Sequence, residues 1–97
     1  MAKYYVQSGP VRLIFDADSS QQAAIDAFQW TCDRQSTIDV DCPLEHLRIA
    51  ERNGWQLHEE VFVSERGFDR ADADCFDTLL VVSRWQDVLV DAPHAPK

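Results

Sequence analysis

Lysine is nearly missing from this chain: in 97 residues it occurs only at Lys3 and Lys97. Arginine does not fill the gap. Lys and Arg together number 9 against 17 Asp and Glu, for a net charge of −8. The acidic excess is spread along the whole sequence, and no segment is basic. Neutralising phosphates takes clustered cations, so the composition argues against nucleic acid and against an anionic membrane surface as partners. Long apolar runs are missing too. The longest unbroken one, Leu79 to Val82, falls far short of the roughly 20 residues a spanning helix needs. Near the N-terminus, Gln7, Gly9, Pro10 and Arg12 interrupt the apolar stretch a secretion signal would require.

Glycine is confined to Gly9, Gly54 and Gly67. These are too dispersed to form a phosphate-cradling loop, and there is no GxSxG. Cys32, Cys42 and Cys75 are odd in number and show no CxxC spacing, which fits reduced thiols better than a disulfide framework. The expected location is therefore cytoplasmic, and no cofactor is implied.

Apolar residues make up 45% of the chain and aromatics 10%, enough for an ordinary core without a metal or disulfide staple. One domain is expected over residues 1–92, with 93–97 a disordered tail. Residues 3–8 and 11–17 alternate apolar and polar side chains around Ser8-Gly9-Pro10, the pattern of a β-hairpin. Of the two strands, 11–17 has the stronger alternation and is expected inside the sheet, leaving 3–8 as an open edge. Ser19 followed by Gln22 fits a capping box. It predicts a helix to about Arg34, with Ala24, Ile25, Ala27, Phe28, Thr31 and Cys32 on one face and Trp30 off it.

Pro43 suits the first turn of a second helix, capped by Asp41 or Cys42 and stopped at Asn53-Gly54. Residues 55–64 read as a strand in which Glu59 breaks the parity, so a bulge is expected there. Residues 69–77 read as an acidic loop. Residues 78–85 are apolar on both parities and predict a final, buried strand, and Val88 to Val90 are expected to dock as a terminal turn or strand. The predicted fold is α+β and two-layer. It has a single mainly antiparallel sheet with one or two helices on one face, in the order ββααββ.

No assembled catalytic signature emerges. The densest acidic cluster is Asp69, Asp72, Asp74 and Asp77, a candidate loop for a divalent cation because hard cations take several oxygens from flexible loops. It departs from an EF-hand pattern: Phe76 stands at an acid position and the central glycine is missing. His46, His58, His94 and the cysteines offer no paired ligand spacing beyond Cys42 and His46, four apart. Cys75, flanked by Asp74 and Asp77, sits where negative charge opposes a thiolate. Glu59 and Glu60 are adjacent on a strand and face opposite ways, so they cannot form an acid–base dyad.

Tryptophan and tyrosine are enriched at interfaces as well as in cores. Trp30, Tyr4 and Tyr5 are therefore the candidate partner-binding residues. The leading expectation is a non-enzymatic interaction or regulatory module that binds another protein or pairs weakly with itself. The alternatives are a small enzyme or ligand-binding domain with a pocket between helix and sheet near Cys75 and His58, and cation binding by residues 69–77.

Overall fold

Tyr4, Val6 and Ser8 point one way and Lys3, Tyr5 and Gln7 the other. The computed structural model, which describes residues 2–91, has this segment as strand β1, Ala2–Ser8. Gly9 follows with φ 56, a conformation side chains resist, and a Cβ there would collide with the His58 ring. The resulting two-residue turn leads into β2, Val11–Ala17, paired from Ala2 opposite Ala17 to Ser8 opposite Val11 without a bulge.

Helix α1, Ser20–Gln35, starts as expected: the Ser19 hydroxyl accepts the Gln22 N–H at 3.1 Å. The reciprocal half of the box is replaced, because the Gln22 side-chain amide donates to Asp26 at 3.0 Å. Its buried residues are Ala23, Ala24, Ile25, Ala27 and Thr31, with Phe28 and Cys32 half-buried at the margin. Helix α2, Pro43–Arg52, has Pro at its start and Cys42 as a cap without a side-chain hydrogen bond; it ends at Asn53-Gly54, where Gly54 has φ 74.

Beyond residue 54 the expectations need correction. The strand expected from Trp55 is shorter, β3, Glu60–Ser64. Glu59 marks the end of regular pairing rather than a bulge within it. The acidic stretch contains β4, Asp74–Asp77, because Phe76 supplies a side chain that packs on the core. Residues expected as a last strand form α3, Thr78–Asp91, which also takes in Val88 to Val90. Val81 is buried and Trp85 half-buried, an i, i+4 pair on one helical face. A short run apolar on both parities satisfies a helix as well as a strand. Here Phe28 on α1 offers Trp85 an edge-to-face partner at 5.0 Å, and Gln29 accepts its indole N–H at 2.7 Å.

The order is thus ββααββα, an α+β fold with one four-stranded antiparallel sheet, β2-β1-β3-β4. This reverses the expected edge: β1 is internal, held by β2 on one side and by β3 on the other through Tyr5–Ser64, Val6–Val63 and Gln7–Phe62. Alternation in β2 reported a buried face, which an edge strand has as well as an inner one. Tyr4, Val6, Ala17, Val61 and Val63 join Ala23, Ala24, Ile25 and Ala27 of α1 and Val81 of α3 in one core. The small alanines let α1 lie close against the strands. The tail expected at 93–97 lies outside the described residues.

Candidate functional site

Strand parity places Tyr5 and Gln7 of β1, Arg12 and Ile14 of β2, Phe62 of β3 and Cys75 of β4 on the face opposite the core residues. Ile14 is 52% and Phe62 39% exposed, high values for large apolar side chains on a sheet. The loop 65–73 folds back over part of this face. The Phe68 ring meets Tyr5 edge-on at 5.3 Å, and the Arg12 guanidinium lies 5.5 Å from the Phe68 centroid.

Asp69 fixes the loop. It has φ 58, unfavourable for a residue with a Cβ but tolerated best by Asn and Asp. Its N–H donates to Gln7 Oε1 at 2.9 Å, its carboxylate accepts from Gln7 Nε2 at 2.8 Å, and Arg12 reaches it at 3.2 Å. A shallow cavity of about 210 Å³ opens among Tyr5, Gln7, Phe62, Ser64, Asp69 and Arg70.

A second, larger cleft of about 1040 Å³ is lined by His58, Glu59, Glu60, Phe62, Asp77 and Thr78 among others. Its wall is pinned by the buried Ser8, whose hydroxyl accepts the His58 N–H at 2.8 Å and donates to the Glu60 carbonyl at 2.7 Å. The Thr78 hydroxyl donates to the His58 carbonyl. Cys75 donates to Glu60 Oε2 at 3.4 Å. Partial desolvation first, then the hydrogen bond to Glu60 and the charges of Glu60 and Asp77, push the Cys75 thiol above its ordinary range. It therefore stays protonated at neutral pH, the reverse of what a nucleophile needs. Cys32 is likewise pushed up, first by burial and then by Asp33.

The four aspartates singled out in the sequence have separate duties. Asp69 holds Gln7 and Arg12, and Asp72 pairs with Arg70 at 2.9 Å and with Arg66 at 3.7 Å. Asp77 accepts the Leu79 N–H at 3.0 Å at the start of α3, and Asp74 begins β4 on the opposite parity from Asp77. Among the described residues, no three His, Cys, Asp or Glu side chains are grouped to hold a metal ion. His94 lies outside the described residues.

The three candidate contact residues are also dispersed. Tyr4 is buried in the core, Tyr5 lies on the opposite face, and Trp30 sits on α1 with the Arg34 guanidinium 5.3 Å from its ring centroid. Sequence reasoning missed Ile14, Phe62 and Phe68. The first two were accessible from parity alone, since Phe62 alternates with Val61 and Val63. The long-range Arg12–Asp69 pairing left no local signal.

No protein-family model matches this chain, and neither a curated protein nor a solved structure is significantly similar to it. No helix among the described residues is long and apolar enough to cross a membrane.

Proposed function

We propose that this chain is a non-enzymatic protein-interaction module, a two-layer domain whose helices cover one side of the sheet and leave the other to a protein partner. The observation that carries this reading is that Phe68 joins Tyr5 and Arg12 on that side, where Ile14 and Phe62 are also exposed on the same face. Aromatic residues and arginine in a partly desolvated patch are the side chains that dominate binding energy at protein interfaces.

Selection from a displayed library of peptides and small domains tests the reading. Binders of the wild type are expected to weaken about tenfold or more with Phe62→Arg and to keep their affinity with Trp30→Ala on α1. A library that yields no binder, or binders that respond only to Trp30→Ala, overturns it.

A second reading rests on the larger cleft. Glu59, Glu60 and Asp77 concentrate negative charge around it beside Phe62 and Leu79, a lining suited to a small organic cation with an apolar body. Calorimetric titration with a polyamine checks it: the heat of binding is expected to fall in Glu60→Gln.

A further inference from the structure

We propose that the outer edge of β2 pairs with the same edge of a second copy of this chain, antiparallel and centred on Ile14, to join two sheets into one. This goes beyond the open-face reading and uses different main-chain groups.

The phase of the hydrogen bonds comes first. The Thr78 N–H donates to the Glu59 carbonyl, so the odd residues of β3 direct their main-chain groups toward β4 and the even ones toward β1. Carried through the registers Gln7–Phe62 and Ser8–Val11, this makes the odd residues of β2 face β1. Arg12, Ile14 and Asp16 therefore send their N–H and C=O groups outward, where no strand receives them among the described residues.

Side chains then select the partner. A two-fold pairing about Ile14 sets Arg12 of each copy opposite Asp16 of the other and Ile14 opposite Ile14. On the core side it sets Leu13 opposite Phe15, both large and apolar, and Val11 opposite the smaller Ala17. Charge meets opposite charge and apolar meets apolar, and the symmetry repeats each pair off the axis, as an isologous contact requires. Ile14 loses part of its exposure to water, and Leu13 and Phe15, only half-buried in one copy, gain cover. The strand also has none of the usual guards against such pairing: no proline, no lysine, no bulge and no inward charge.

Sedimentation equilibrium over a range of concentrations is the test. The wild type is expected to shift reversibly from monomer to dimer. Arg12→Asp sets a second carboxylate against Asp16 at both ends of the contact, and Asp16→Arg sets a second guanidinium against Arg12. Each is expected to weaken the dimer about tenfold or more. An equimolar mixture of the two variants restores opposite charges at both ends and is expected to dimerise as the wild type does. Asp16 is exposed, so circular dichroism melting of Asp16→Arg is expected to change little, whereas Arg12→Asp also gives up the pair with Asp69 and is expected to melt slightly lower. If a variant fails to fold, the double variant Arg12→Asp/Asp16→Arg, which also restores both pairs, takes its place. A wild type that stays monomeric throughout overturns the proposal, as does a dimer indifferent to both single changes or a mixture that fails to recover.

Discussion

The two edges of the sheet are built on opposite plans. β2 spans Val11–Ala17, carries one charge of each sign on its exposed parity and places Ile14 between them. β4 spans only Asp74–Asp77, begins and ends on aspartate, and lies beside Glu60. A strand approaching β4 meets short pairing and negative charge, the standard defence of an edge. A strand approaching β2 meets balanced charge and apolar surface. Net charge alone predicts repulsion between two copies at −8. The contrast shows that an edge is governed by the few side chains that flank it, and those of β2 are locally neutral.

The first way to break the comparison is to remove what both edges depend on. Tyr4 lies on internal β1 opposite Phe15 of β2 and belongs to the shared core. Tyr4→Ala is expected to destabilise the domain by about 3 kcal/mol, measured by denaturant unfolding. A loss below about 1 kcal/mol, on the order of a surface change, would take Tyr4 out of the core. Phe76 anchors β4 but is only half-buried, so Phe76→Ala is expected to cost about 2 kcal/mol, less than the roughly 3–5 kcal/mol of a fully buried aromatic.

Next comes the junction that ends β4. The Asp77 carboxylate accepts the Leu79 N–H where α3 begins, and Asp77→Ala is expected to cost about 1 kcal/mol, the usual worth of such a cap. No change in melting would mean that α3 starts without it.

Hydrogen exchange separates the edges without mutation. The outward amides of β2, on Arg12, Ile14 and Asp16, are expected to gain protection as protein concentration rises. Those of Cys75 and Asp77 on β4 are expected to exchange quickly at every concentration. Equal behaviour at both edges would erase the distinction.

The smallest effect concerns the loop above them. The hydrogen bond from Arg70 first, and the charges of Arg70 and Arg66 after it, hold the Asp72 carboxyl below its ordinary range. A lowered folded value means that the stabilisation is fully present above the ordinary carboxylate range and fades as pH falls through the lowered one. Both partners are exposed, so the effect on melting is expected to be slight. Titration of Asp72 followed by NMR is expected to give a midpoint below that of a free aspartate, moving up in Arg70→Ala.

Local chemistry made much of the first half legible. Gly9 at a two-residue turn, Ser19 as a cap, Pro43 at a helix start and Gly54 at a helix end each satisfy a main-chain requirement of their own neighbours. Nothing distant had to be known to read them. The strand phase of 3–8 and 11–17 was legible for the same reason, since a side chain's face is set by counting in twos.

Sequence by itself therefore determined the hairpin, the first two helices, the α+β class and the acidic balance of charge. Tertiary structure decided the rest. Which strand lies inside depends on where β3 finds a partner after two helices, a choice alternation does not encode. Residues 78–91 became a helix because α1 presents Phe28 and Gln29 to Trp85. The acidic stretch yielded a strand because Phe76 could be buried beside Val61, its register partner. Arg12 and Asp69 meet only through the return of the loop, so their pairing existed nowhere in the linear pattern. In each instance the deciding energy is contact between residues far apart in the chain, and a linear pattern carries no record of which distant surface will be there to receive it.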